Sequence, residues 1–284
     1  MTNYRDNVKE DKNLINYPEC KKLIENHDIS SIGKGGQADI FKVVSDKCGS
    51  VVLKLFREDV SKKLQVNGKY NLEGKMTAEY QIMTRIKILI DYKYCANFIN
   101  IIDFNPKQKY IIIEYADGNC TDIIKNDLDY DILCSFMCQI LIGLLCFQKI
   151  INMWHNDFKL ENILYKKINE KIILHYVINN QHFYIPTHGY LFMIADYGMC
   201  IDKTFVDKNI RNVHNEFTDI ERLKNSLEGT LQKINKKNDN VEKIIKILKD
   251  KISILDILKK NFNHFTKNNN YDSNYVETFA FNFL

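Results

Sequence analysis

Four polar side chains, His155, Asp157, Lys159 and Asn162, fall within the stretch HNDFKLENIL, with Phe158, Leu160, Ile163 and Leu164 woven among them. A surface loop has no need of so much apolar residue, and a core segment has no need of so much charge. The mixture predicts a loop pinned to a core by its apolar members while its polar members face a shared target. The chemistry open to them is centred on phosphate. Asp157 can accept a proton from an attacking hydroxyl, Lys159 can neutralise a moving phosphoryl group, and Asn162 offers a carbonyl oxygen to a hard metal ion. His155 reads as a structural hydrogen-bonding residue. Further on, FMIADYGMC sets Asp196 just past an apolar strand and before Tyr197-Gly198, a setting that suits Mg²⁺ chelation.

Two earlier features fit the same chemistry. In IGKGGQADIFKV, Gly33, Gly35 and Gly36 lie between two apolar stretches, where backbone without Cβ atoms can bend sharply and bring N–H groups to phosphate oxygens. Lys54 lies within VVLKLF, so strand alternation puts Val52, Lys54 and Phe56 on one face and Val51, Leu53 and Leu55 on the other. Such a lysine either snorkels to water or meets a buried anion. Glu79, inside the next periodic helix, is its expected partner; Glu73, followed by Gly74 at that helix's start, is the alternative.

These residues need elements to hold them. Up to residue 116 the apolar patterning predicts β-β-β-α-β-β, with the helix over KMTAEYQIMTRIKILI and the last strands around Asn105-Pro106. Residues 1–28 read as a polar extension with a short helix around YPECKKLIEN. After Gly118 helical periodicity dominates to about residue 154, a β-like segment runs to 198, and the chain from 217 on reads as helical. The domain division expected is therefore 1–28, 29–116 and 117–284, an α+β chain with its ligand cleft between a β-rich and a helical part.

Bulk properties narrow the function classes. With 45% hydrophobic and 27% charged residues the chain is globular rather than disordered. A net charge of +4 is too even to make nucleic acid the main partner. Eight cysteines behind a polar N-terminus, with no signal peptide, predict thiols in a reducing cytoplasmic setting. The most apolar run, ILCSFMCQILIGLLCF, is interrupted by Ser135 and Gln139 and falls short of the about 20 residues of a bilayer span. A core helix is expected there, and no membrane partner.

The order glycine hairpin, strand Lys, helix Glu, H-x-D-x-K-x-x-N, D-Y-G resembles the eukaryotic-type protein kinase superfamily over roughly residues 29–225. The resemblance implies a bilobal fold with a small β-rich lobe and a mainly helical one, ATP and Mg²⁺ as nucleotide and metal, and a protein substrate. It implies that Ile32, Gly33, Gly35, Gly36 and Ile40 cover the nucleotide, and that Lys54, steadied by Glu79, holds the α- and β-phosphates. Ile113 is similar to the gatekeeper, and Glu114 to Ala116 to the hinge that meets adenine. Asp157 corresponds to the catalytic base, Lys159 to the γ-phosphate contact, and Asn162 and Asp196 to the Mg²⁺ ligands.

Departures from that pattern are informative. Ala38 stands for the third glycine of the phosphate loop, and Asn156 for the arginine that grips a phosphorylated activation loop, which implies activity without that phosphorylation. Asp196 lies 34 positions after Asn162 (196 − 162), and the added piece, around 165–192, reads as one extended hairpin. Its IP-x-x-G segment is similar to haspin-like kinases and kinases of large DNA viruses. No A-P-E follows Gly198; the activation segment is shortened, and Asp219 in NEFTDIERL resembles the buried aspartate that props the catalytic loop. Small-molecule phosphotransferases of the aminoglycoside and choline type share H-x-D-x-x-x-x-N, but usually lack the lysine at Lys159. Pseudokinases generally lose the strand Lys, the base or the metal Asp, and all three are present here.

Overall fold

The computed structural model of the chain describes residues 28–34, 38–45, 49–56, 72–107, 109–126, 129–204, 215–234, 238–267 and 271–283. The helix expected near residues 17–26, Gly35 and Gly36 lie outside them. The fold is α+β and divides into two compact units. One takes in the described residues up to Ile88 with Ile99–Tyr115, the other Leu89–Phe98 and the chain from Ala116 on.

The first unit is built on an antiparallel sheet of β1 (Asp28–Lys34), β2 (Ala38–Ser45), β3 (Gly49–Phe56), β4 (Ile101–Asn105) and β5 (Tyr110–Glu114). Its strand order is β1-β2-β3-β5-β4. Runs of Val, Ile and Phe favour the pleated, half-buried surface, and the register decides which members go inside. Phe41 faces Leu53, which faces Ile112, and these join Val43, Val51, Ile102 and Tyr110 in one apolar cluster. The other face carries the rows Ile40–Lys54–Ile111 and Lys42–Val52–Ile113. Helix α1 (Leu72–Asp91) buries Met76, Glu79, Met83 and Ile86, at helical spacing, and stacks Tyr80 on Phe104 with ring centroids 4.0 Å apart. Burying each such apolar side chain is worth about 1.5–3 kcal/mol.

The second unit is organised by one helix. After β6 (Gly118–Asn119) and the short α2 (Cys120–Lys125), α3 (Tyr130–Cys146) starts at an Asp129 cap and runs on into a π-helical turn, Phe147–Ile151. The stretch Tyr130–Ile151 is long and apolar enough to cross a membrane, but 83% of its apolar 18-residue window is buried inside the protein. It is the core helix. Ser135 and Gln139, which interrupt its apolar run, bind backbone that would otherwise lie unpaired. Ser135 Oγ donates to the Pro186 carbonyl, Gln139 Nε2 to that of Tyr190, and Gln139 Oε1 accepts from Phe192 N–H and Asn97 Nδ2.

Two expectations are corrected here. The helix does not reach residue 154: Asn152 takes a left-handed φ of 63° and its N–H closes onto the Phe147 carbonyl. Met153–Trp154 is then a short strand, β7, paired with β12 (Ile201–Asp202). The 165–192 insertion folds back on itself as an extended hairpin with an irregular middle. β8 (Ile163–Lys167) pairs with β11 (Tyr190–Ile194) at its base, and in between Ile168 N–H donates to the Gly189 carbonyl and Thr187 N–H to that of Ile172. β9 (Ile173–Ile178) and β10 (Gln181–Pro186) form its distal hairpin across Asn179-Asn180, both at positive φ. That hairpin becomes a sheet because β13 (Val276–Phe281) adds to β9 in parallel, so the C-terminal part is not all helical. The alternation in VETFAF, with Glu277, Phe279 and Phe281 buried, is a strand pattern that the preceding helices α4 (Thr218–Ile234), α5 (Asp239–Leu248) and α6 (Ile254–Asn261) had overshadowed.

Candidate active site

In the sheet unit, Lys54 meets its expected partner Glu79, while the side chain of the alternative, Glu73, lies outside the described ones. Lys54 Nζ lies 2.7 Å from Glu79 Oε1 and 3.0 Å from Oε2, with side chains 16% and 5% exposed. Helical phase puts Glu79, with Met76, Met83 and Ile86, on the buried side of α1. Cross-strand register gathers Gly33, Ile40, Lys54 and Ile113 on the sheet face opposite the apolar cluster, since Gly33 pairs with Ile40, Ile40 with Lys54, and Ile113 with Val52. A Cβ at Gly33 would stand 3.9 Å from that of Ile40, an ordinary contact, so packing alone does not demand glycine there. Ile32, at the bulge between Ser31 and Gly33, is half exposed. Glu114 turns its carboxylate back to its own strand pair, accepting from Asn100 N–H at 2.8 Å, and its N–H donates to the Asn100 carbonyl. Ala116 is the first residue of the other unit after β5.

In that unit the loop from His155 to Asn162 folds onto itself through its polar members. Asp157 Oδ2 accepts from Lys159 Nζ at 2.9 Å and from Asn162 Nδ2 at 2.8 Å, while the second Asn162 N–H goes to the Asp157 carbonyl at 2.8 Å. Phe158, Leu160 and Ile163 are buried beneath, and Ser226 of α4 accepts the Leu160 N–H at 3.1 Å. A cavity of about 380 Å³ opens beside Asp157, Lys159 and Glu161, walled by the α4 face of Arg222, Ser226 and Thr230.

Asp196 reaches the same place along the β8–β11 ladder. Ile163 pairs with Ile194, and Ala195 N–H donates to the Asn162 carbonyl at 2.9 Å, so Asn162 and Asp196 stand at one end of that ladder. Asp196 holds φ 62°, ψ 76°, a left-handed conformation that costs a non-glycine residue about 1 kcal/mol or more and that aspartate tolerates better than most. Tyr197, buried behind it, anchors the turn by donating to the Ile194 carbonyl.

A family model for the protein kinase domain matches residues 26–208, more than half of the 284 residues, and so spans both groups of side chains. The chain belongs to the protein kinase family. Two curated relatives carry a serine/threonine-protein kinase designation in their names. Protein 019R of Frog virus 3 (isolate Goorha) is 42% identical over 91 residues, 31% of this chain and 10% of the viral protein. Protein 380R of Invertebrate iridescent virus 6 is 27% identical over 124 residues, 38% of this chain and 23% of that protein. The matched regions thus span under a quarter of either relative's length. Among solved structures, the Rad53 kinase domain with SCD2 aligns over 84% of this chain and 89% of its own, at 14% identity and a TM-score of 0.48.

Asn162 and Asp196 would fit a hard cation as a pair of donors. Both Asn162 amide protons are spent inside the loop, which leaves its Oδ1 as the acceptor beside the Asp196 carboxylate, an all-oxygen donor set of the kind Mg²⁺ takes together with phosphate and water. Among the described residues no three His, Cys, Asp or Glu side chains cluster to hold a metal by themselves, so an ion held by this pair would take its other ligands from phosphate and water.

What holds the kinase loop in place is Asp219, fully buried in the first turn of α4. It accepts from Gln148 Nε2 at 2.9 Å, His155 N–H at 3.1 Å and Asn156 N–H at 2.8 Å. Of these donors, sequence reading offered no sign of Gln148, a polar residue in the apolar helix's last turn; nor did it offer Arg222, which donates to Asn156 Oδ1 at 2.8 Å. The available signal was the three-residue spacing of Asp219 and Arg222, which puts both on one helix face.

His155 is structural, as expected. Its ring packs between Phe147, Phe158 and Tyr197, and its Nε2 must carry the proton, because it contacts the Ala195 carbonyl at 3.0 Å while Nδ1 is buried with no partner among the described residues. Burial pushes its pKa below the ordinary value, although the Asp219, Asp157 and Asp196 carboxylates and the Ala195 carbonyl pull it upward. The unfolded chain therefore binds a proton that the folded chain refuses. Stability from this residue is complete above pH about 6.5 and falls away as the pH drops below it. Melting temperatures at pH 7.5 and 5.5 should fall further for wild type than for His155→Gln; equal drops would show that the imidazole is not the group responsible.

Proposed function

We propose that the chain transfers the γ-phosphate of ATP to serine and threonine hydroxyls of proteins, with Mg²⁺, and needs no phosphorylation of its activation segment. The observation that carries this is the meeting, at one end of the β8–β11 ladder, of a loop holding Asp157, Lys159 and Asn162 with the Asp196 carboxylate. Asp157 takes the hydroxyl proton. Lys159, 42% exposed, leaves its contact with Asp157 to meet the γ-phosphoryl oxygens. Asn162 and Asp196 hold the ion, which offsets charge on the phosphates. Lys54, kept in line by Glu79, orients the α- and β-phosphates, and Ile32, Gly33, Gly35, Gly36, Ile40, Ile113, Glu114 and Ala116 bind the rest of the nucleotide. Catalysis of this kind is chiefly positioning and fixed electrostatics. Phosphorylation independence is supported by Asn156, a neutral amide engaged by protein partners where a phosphate-gripping arginine is usual. The viral relatives support the serine/threonine assignment.

The test uses radiolabelled ATP and Mg²⁺ on phosphatase-treated protein, offered casein or a panel of amino alcohols and sugars. Wild type should label casein and itself, and Lys54→Met should lose about 10²-fold or more in rate, the cost of removing one fixed charge at a reacting phosphate. Labelling of the small molecules alone would make the chain a small-molecule phosphotransferase. Inertness until another kinase acts on it would overturn the claim of phosphorylation independence.

A further inference from the structure

We infer that Arg222 is a positioning residue for phosphoryl transfer, acting through Asn156 to lock the loop of Asp157 to the segment of Asp196; this rests on the function proposed above. Asn156 directly precedes Asp157 and sits at φ 59°, so its side chain projects away from the path an ordinary extended or helical residue would take. Three hydrogen bonds fix it. Its N–H donates to Asp219 Oδ1 at 2.8 Å, its Nδ2 to the Met199 carbonyl at 3.2 Å, and its Oδ1 accepts from Arg222 Nη2 at 2.8 Å. The amide cannot be turned round, because a guanidinium only donates and a carbonyl only accepts.

Met199 lies three residues after Asp196, in the turn Tyr197–Met199 that Asp196 opens. The amide therefore joins three things: the base, through its own backbone; the metal-binding turn, through Met199; and the rigid first turns of α4, through Asp219 and Arg222. An arginine at position 156 could not make this bridge, having no acceptor for Arg222. Arg222 is ill placed for stability alone, since its Nε is buried with no partner among the described residues and only one charge-assisted bond to Asn156 is described. What that bond does is fix the orientation of the amide, and with it the spacing of Asp157 and Asp196, where a shift of about 1 Å can cost about 10²-fold in rate.

The test measures kcat and KM for Mg²⁺-ATP with casein as acceptor, on phosphatase-treated wild type, Arg222→Met, Arg222→Lys, Asn156→Gly and the Asn156→Gly/Arg222→Met double variant. Glycine accepts the left-handed backbone freely, so Asn156→Gly removes the bridge without strain and reports on it even if Arg222→Met folds poorly. Arg222→Met and Asn156→Gly should each lower kcat about 10²-fold with KM for ATP changed less than about threefold. Arg222→Lys, still a donor, should recover part of the loss, and the double variant should be no worse than Asn156→Gly alone, because the two residues act as one device. The inference is overturned if kcat is unchanged in the single variants, if KM carries the loss, or if the two losses multiply. An inactive wild type would instead refute the function proposed above, whatever the variants do.

Discussion

Asp157→Asn should reduce phosphate transfer by about 10²–10⁴-fold while leaving the affinity for Mg²⁺-ATP nearly unchanged. The two oxygens of this carboxylate have separate duties. Oδ2 is engaged by Lys159 and Asn162, and Oδ1 accepts no hydrogen bond from the described residues. An asparagine can present its single oxygen to Lys159 and Asn162 and so preserve the loop. It then sets an amide NH₂, which cannot accept a proton, where the free carboxylate oxygen stood. The loss should therefore fall on the chemical step, and single-turnover labelling with saturating ATP is the measurement. Transfer within tenfold of wild type would remove Asp157 from its assigned role, whereas a matching fall in ATP affinity would mean that the loop itself had collapsed.

The second large effect is on stability. Asp219→Ala takes the acceptor from three donors, the buried Gln148 Nε2 and His155 N–H and the part-buried Asn156 N–H, of which Gln148 keeps a long contact to the Glu216 carbonyl. Each fully buried unsatisfied donor costs about 1–3 kcal/mol; with one donor part-buried and one keeping a second contact, a loss of about 3 kcal/mol or more is expected, against the 5–15 kcal/mol that holds most domains folded. The urea midpoint should fall markedly at unchanged slope. Asp219→Asn should cost less than alanine but more than a surface change, because one of its two terminal atoms becomes a donor facing donors. A midpoint within error of wild type for the alanine variant would show that water takes over the three bonds, and that α4 does not support the loop as described.

These two predictions draw on different kinds of information. Asp157, Lys159 and Asn162 lie within six residues of one another, and their mutual bonds close within that span, so the loop could be anticipated from residue types and spacing. The strands and helix of the first unit were legible for a similar reason: period-two and period-3.6 burial patterns are local properties of the chain. The Asp219 contacts span 63 to 71 residues, and nothing within any one segment names its partner.

Local sequence thus determined which residues could do phosphate chemistry, in what order, and on what kind of element. Tertiary structure decided the pairings that depend on how elements dock. It brought Glu79 to Lys54, because only docking of α1 on its sheet fixes which side of the helix is buried. It recruited β13 to β9 from about 100 residues away, since strand alternation marks a strand but not its neighbour. It also set Ser135 as a donor, and Gln139 as both donor and acceptor, to the backbone of the inserted strands, where the sequence had shown only interruptions in an apolar helix. The physical reason is common to all three: burial and hydrogen-bond satisfaction are settled between surfaces, and the complementary surface is absent from the segment that needs it.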